Sequence, residues 1–167
     1  MATLQFDMPT YALQQDANKS HSLYVEGTMH TAWSGKKTYA TADGDDLVYE
    51  FDLFTLPAGR LLIHTDLSKI RTTQYEANTD LHLGFRAYKD MTGATVAQDD
   101  NYFMDNVDVG GGAIVGNWSA ISGATATGVG TIELSSSSGI TLYVTLDTAD
   151  IEDTDTLEVL CIYSVIG

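Results

Sequence analysis

Residues 47–67 read Leu47-Val-Tyr-Glu-Phe-Asp-Leu-Phe-Thr-Leu-Pro-Ala-Gly-Arg-Leu-Leu-Ile-His-Thr-Asp-Leu67, and this stretch decides the fold class. Leu47, Tyr49, Phe51 and Leu53 fall on one side of a period-two alternation, with Glu50 and Asp52 on the other. That is the pattern of a half-buried strand, because successive side chains of an extended chain point to opposite faces. Leu56-Pro57-Ala58-Gly59 then supplies a turn, since Pro presets φ and Gly admits positive φ. The alternation resumes with Leu61, Ile63, Thr65 and Leu67 against Leu62, His64 and Asp66.

The same period recurs downstream. Leu81, Leu83 and Phe85 alternate with Asp80, His82 and Arg86. Residues 129–134 and 140–146 predict a hairpin across the serine-rich stretch 135–139. The last segment, 156–166, is apolar on both phases from Val159 to Ile162, which predicts a central strand covered on both sides. Helical spacing is nearly absent, with room only for a short turn of helix within 68–76 or 119–122. About six to eight short strands separated by turn signals predict an all-β chain, a single-domain β-sandwich or jelly roll. An α/β fold would need alternating helices.

Length and composition agree with one domain. A chain of 167 residues fits a single core, and at this size folding buries roughly 70% of the extended-chain surface. Cys161 is the one cysteine, which removes intramolecular disulfides and cysteine-based zinc clusters. No apolar run approaches the roughly 20 residues that span a bilayer. The first residues, Met1-Ala-Thr-Leu-Gln-Phe-Asp7, lack the basic-then-apolar layout of a signal peptide. Synthesis in a cytoplasm is therefore expected.

The net charge of −15 is unevenly distributed. All eight basic residues lie at or before Lys89, so the first 89 residues carry a formal −3 and the remainder −12. Such a surface repels phosphate backbones and anionic lipid, which argues against nucleic acid and membrane partners. Self-repulsion keeps the chain soluble. The sharper expectation is an acidic outer face opposite a less charged docking face.

Two regions read as irregular. Residues 1–45 form an N-terminal arm and first irregular segment, with Pro9 and the polar run Gln14-Gln-Asp-Ala-Asn18, ahead of a sandwich domain over 46–167. Residues 105–130, rich in Gly and Ala around Trp118, read as a long loop.

The chain offers little local chemistry. Gly110-Gly-Gly112 and the glycines between 123 and 130 lack the lysine of a phosphate-binding loop. Acidic clusters at 43–46, 99–101, 105–108 and 150–155 suggest calcium, yet the segment from Asp105 has Gly116 where an EF-hand needs Glu. His64 and His82 share the polar phase of two neighbouring predicted strands, with Asp66 and Asp80 beside them, and so could face each other across the strands. There is no nucleophile elbow, and Cys161 reads as a small core residue. No catalytic residue, metal ligand or cofactor is assigned.

Aromatic and basic residues concentrate early instead. Tyr11, Lys19, Tyr24, Trp33, Lys36, Lys37 and Tyr39 form the candidate contact surface, because exposed aromatics beside long cationic side chains are typical of protein interfaces.

Five segments carry a resemblance. They are Phe51-Asp-Leu-Phe-Thr-Leu-Pro-Ala-Gly59, Leu62-Ile-His-Thr-Asp-Leu-Ser68, Thr79-Asp-Leu-His-Leu-Gly-Phe85, Asp99-Asp-Asn-Tyr-Phe103 and Val159-Leu-Cys-Ile-Tyr-Ser-Val-Ile-Gly167. Together they look like the β-rich decoration, or cement, proteins of tailed-bacteriophage heads, over roughly residues 47–105 and 156–167. The resemblance implies a jelly-roll-like structural virion protein, with no catalysis and no cofactor. It also implies a homo-oligomer, a trimer in the simplest case, bound to the major capsid protein at the capsid surface. It transfers no site residue. The alternative reading is a receptor- or glycan-binding head of a tail fibre or spike. An enzyme would need ionisable groups converging from distant loops.

Overall fold

The alternation that opens at residue 47 is visible in the computed structural model, which describes residues 29–38, 48–121, 130–147 and 155–166. Among the described residues the regular structure is all strand, apart from one 3-10 turn. In β3 (Val48–Leu56), Tyr49 and Phe51 face the core, Leu53 occupies a bulge opposite Leu142 and Tyr143, and Phe54 and Leu56 continue inward after the bulge. The extra residue shifts the inward phase from odd to even positions.

Two sheets follow from the pairings. In the first, β13 (Thr156–Ile166) is central. β1 (Met29–Trp33) and β2 (Lys37–Thr38) lie end to end along one side of it. β4 (Gly59–Ile63) and β5 (Lys69–Thr72) lie end to end along the other. Beyond them run β11 (Ile132–Ser136) beside β4 and β10 (Val115–Asn117) beside β5. The second sheet has the order β3-β12-β6-β9, with β6 at Asp80–Phe85, β9 at Asp99–Asp108 and β12 at Ile140–Asp147. A two-residue ladder, β7 (Tyr88–Lys89) with β8 (Thr95–Val96), connects β6 to β9.

Counting each end-to-end pair as one row gives eight rows in chain order. The first sheet then reads 1-8-3-6 and the second 2-7-4-5. Two four-row sheets wound in this order are a jelly roll. The core lies between them and includes Leu56, Leu61, Ile63, Leu83, Phe103, Trp118, Leu142 and Leu146, all at 0% exposure. Each such side chain contributes about 1.5–3 kcal/mol by leaving water.

The broken rows beside β13 are closed by serines. Ser34, between β1 and β2, donates its N–H to Val159 O (3.0 Å) and accepts Val159 N–H on Oγ (2.9 Å). Ser68, between β4 and β5, accepts Ile162 N–H on Oγ (2.9 Å) while that hydroxyl donates to His64 O (2.7 Å). β13 thereby keeps its backbone groups paired where its neighbours interrupt.

Several sequence expectations are corrected. Residues 135–139 do not turn a hairpin: β11 pairs with β4 in one sheet and β12 with β3 and β6 in the other. Leu134 and Ile140 belong to the one core cluster and reach it from different layers. Gly139 (φ 93) makes this crossing possible, since a Cβ there would lie 2.8 Å from Leu56 O. The turn of helix at 68–76 is replaced by β5, whereas the one expected at 119–122 is present as a 3-10 turn, Trp118–Ala120. The long loop at 105–130 contains the end of β9 and β10. Residues 29–38, read as irregular, are the first row of the jelly roll.

Candidate functional site: two opposed outer faces

The pairing register places every strand residue on a face. Val159 and Cys161 of β13 point into the core, so Leu160 and Ile162 point out. Trp33 lies opposite Leu160, Thr31 opposite Ile162, and Met29 opposite Ser164, which in turn faces Leu62 on β4. The outer face of the first sheet therefore carries Met29, Trp33, Leu62, Leu160 and Ile162 in adjoining positions. A sandwich ordinarily turns polar residues outward. Met29 is 59% exposed and Val115, on the same face, 63%. The Trp33 indole N–H is buried and has no hydrogen-bond acceptor among the described residues.

Charge rims this strip. Arg60 binds Glu133 through Nη2 at 2.6 Å, and Lys69 and Arg71 stand opposite Leu160 and Glu158. His64 Nε2 meets Ser164 Oγ at 3.0 Å. Just off the strip, Lys36 is exposed between β1 and β2, and Lys37 is half-buried on β2.

The second sheet turns a different surface outward. Its central strands carry Tyr143, Thr145 and His82, which are buried although they lie on the outer side. The Arg86 guanidinium sits 3.9 Å over the Tyr143 ring and binds Asp52 (2.8 Å) and Glu50. Burial works against the Arg86 charge, but its hydrogen bonds to Glu50 and Asp52 outweigh that and hold its pKa up. Burial, then the nearby Asp100 carboxylate, pushes the Tyr143 phenol up. Gly84, opposite Tyr143, lets the start of β9 pass directly over it: a Cβ there would lie 1.8 Å from Asp99 O.

His82 sits between two carboxylates, Nδ1 at 3.1 Å from Asp105 Oδ1 and Nε2 at 3.4 Å from Asp147 Oδ2. A bulge on β9 with Asn106 at φ 49 keeps both Asp105 and Asn106 on the outer side. This face adds Asp80, Asp108, Glu50 and Asp52 to those carboxylates. The outer side of the second sheet thus carries six carboxylates against Arg86, whereas that of the first sets Arg60, Lys69 and Arg71 against Glu133 and Glu158.

The candidates of the sequence divide accordingly. Trp33 sits on the apolar strip, with Lys36 and Lys37 following it in the chain. Tyr11, Lys19, Tyr24 and Tyr39 lie outside the described residues. His64 and His82 do not face each other, because β4 and β6 belong to different sheets, so no shared site with Asp66 and Asp80 forms. Acidic clusters 99–101 and 105–108 are strand rather than loop, cluster 43–46 and most of 150–155 lie outside the described residues, and among the described residues no three His, Cys, Asp or Glu side chains are placed to hold a metal ion. Cys161 is fully buried, and burial pushes its thiol pKa far up. Tyr88 and Tyr102 pack at the core edge through Phe85, at 5.3 and 4.8 Å between ring centroids.

Sequence reasoning missed Ile162, Leu62 and Met29 as outward residues, and with them Leu160, which lies on the same outer side yet is only 6% exposed. The signal was present in the double apolar phase of 159–162, which reads equally as coverage within one molecule or by another.

No protein family matches the chain, and no curated protein does. Two solved structures are similar in shape. One is a chain of the cyanophage Pam1 capsid asymmetric unit, at 12% identity and a TM-score of 0.49, covering 84% of this chain and 86% of that one. The other is from infectious bursal disease virus, Gx strain, at 11% identity and a TM-score of 0.26, covering 84% of this chain and 41% of that one. The jelly-roll order given above is read from this chain's own strand pairings.

Proposed function

We propose that this chain is a non-catalytic structural protein of a virion, which decorates a phage capsid and stabilises it by bridging major capsid protein subunits. The observation that carries the reading is the apolar strip of Trp33, Ile162, Leu62 and Met29, beside the buried Leu160, on the outside of the 1-8-3-6 sheet. An outward apolar cluster with a tryptophan at its edge and arginines around it has the make-up of a protein contact surface. Jelly rolls serve as shell and attachment modules in many viruses, which supports the assignment at the level of fold only.

The opposed acidic face suits such a role. Like charge keeps free copies soluble before assembly. Closed association of several copies, threefold in the simplest case, multiplies weak contacts into a durable clamp. The protein would be made in the host cytoplasm and would finish on the capsid surface.

The test is cosedimentation with particles of the same virus stripped of this chain. The unaltered protein pellets with the particles, and a Trp33→Ala/Ile162→Ser variant with an unchanged melting profile stays in the supernatant. Equal pelleting of both sinks the assignment of the strip. Glycan-array binding without particle binding would favour a receptor-binding head instead.

A further inference from the structure

On the second sheet, Asp147 of β12 lies directly opposite Asp80 of β6, and Asp80 lies directly opposite Asp108 of β9. Three aspartates therefore stand in one row across three adjacent strands, on the outer side. Neighbouring strands are about 4.8 Å apart, and like charges directly opposite each other destabilise a sheet. One position along, the row is Glu50, Thr145 and His82, with Asp105 turned toward the imidazole by the β9 bulge.

Asp108 Oδ1 accepts the Gly111 N–H at 2.7 Å, but few cationic side chains compensate the row. Among the described residues neither Asp80 nor Asp108 pairs with a lysine or arginine, and Asp105 and Asp147 share the one imidazole of His82. Arg86 is already bound to Glu50 and Asp52. A second, independent feature lies on the same side of the sheet, in the adjoining row. Thr145 is 4% exposed, and its hydroxyl has no hydrogen-bond partner among the described residues. It stands between Glu50 and His82 in the register, on the aspartate side of the sheet. A buried hydroxyl without a partner and a row of like charges both cost stability.

We propose that this row is a binding site for a basic protein segment, with arginine or lysine side chains laid across β12, β6 and β9. The spread of the carboxylates selects this occupant over a metal ion. A calcium ion needs several oxygens converging to about 2.3–2.6 Å, whereas these carboxylates are spaced by whole strands and no metal-holding group of three exists among the described residues. Guanidinium and ammonium groups on long stems reach separate acceptors and carry several donors each. The partner is a protein with a cationic tail or loop. Because the site lies on the opposite sheet from the apolar strip, it stands or falls independently of the capsid reading.

The experiment is an NMR titration of the full-length chain with a hexa-arginine peptide at about 0.15 M salt, where diffuse surface attraction is screened beyond roughly 8 Å. Backbone shifts should centre on β6, β9 and β12, and a hexaserine peptide should produce none. Asp80→Asn/Asp108→Asn should weaken binding by roughly tenfold. Asp66→Asn/Glu133→Gln, which removes the same two charges on the side of the other sheet, should change it by less than about twofold. The Asp80/Asp108 variant loses like-charge contacts and should melt no lower than the unaltered protein. Equal weakening by both pairs, shifts centred elsewhere on the unaltered chain, or displacement of the peptide by equimolar calcium would each overturn the site.

Discussion

The backbone N–H of Ile162 donates to Ser68 Oγ at 2.9 Å, across the gap where β4 ends and β5 begins. On the other side of the same strand, Val159 N–H donates to Ser34 Oγ at 2.9 Å. The central strand of the first sheet is thus flanked by two interrupted rows, and a serine replaces the missing ladder bond in each. The arrangement fixes the part of β13 that presents Leu160 and Ile162 outward.

Ser68→Ala leaves the Ile162 N–H without its acceptor, while His64 O keeps the N–H groups of Leu67 and Ser68. Loss of such a pair costs about 1–3 kcal/mol. A urea titration should show a lower midpoint with an unchanged slope. A loss below about 0.5 kcal/mol would mean that Ser68 is only filling space.

The thiol of Cys161 is 0% exposed, and burial raises its pKa far above the ordinary value, although a hydrogen bond with Ser68 pulls in the other direction. Thiolate is the reactive form. An aromatic disulfide reagent should therefore leave the native protein unlabelled at neutral pH and label one thiol per chain in denaturant. Rapid labelling of the native state would show that β13 opens locally.

Much of the architecture is legible in the sequence, and the losses have physical causes. Strands β3, β4, β6, β11 and β12 announce themselves because each has one face in the core and alternates with period two, and β13 does so as a continuous apolar run. β1 does not, because Met29-His-Thr-Ala-Trp33 turns His30 and Ala32 inward and Trp33 outward, which inverts the usual polarity. β5 and β10 are too short to establish a period. The hairpin expected at 135–139 failed for a topological reason: two amphipathic strands joined by a short loop look the same whether they pair in one sheet or face each other across a core. Trp33 was singled out from the sequence as a contact candidate, but Leu62 and Ile162 on the same face were not, since register is invisible until the strands are paired.

His30 is half-buried on β1, with its ring 5.5 Å from that of Tyr163, and burial holds its pKa below 6.5. The folded state then binds fewer protons than the unfolded state between the two values. The sign follows from linkage: the contribution is complete above pH 6.5 and is lost as the pH falls through the folded value. Melting temperatures taken from pH 7.5 down to pH 5 should fall, and His30→Gln should flatten that slope. An unchanged slope would assign the acid sensitivity to other groups.

Gly84 stands opposite Tyr143, and the backbone of Asp99 and Asp100 crosses above it. A methyl group at this position would lie 1.8 Å from Asp99 O and 2.6 Å from Asp100 C, both main-chain atoms that no side-chain rotation can clear. Gly84→Ala must therefore displace the start of β9 or push β6 inward against a packed core. Overpacking of this kind costs about 3 kcal/mol or more when backbone has to move. Denaturant unfolding should show that loss. Displacement of β9 should also expose the Tyr143 ring, so its phenol should titrate at lower pH than in the unaltered protein, where burial is the first cause of its raised value. A variant as stable as the parent, with an unchanged Tyr143 titration, would place the Asp99–Asp100 crossing elsewhere than over this strand.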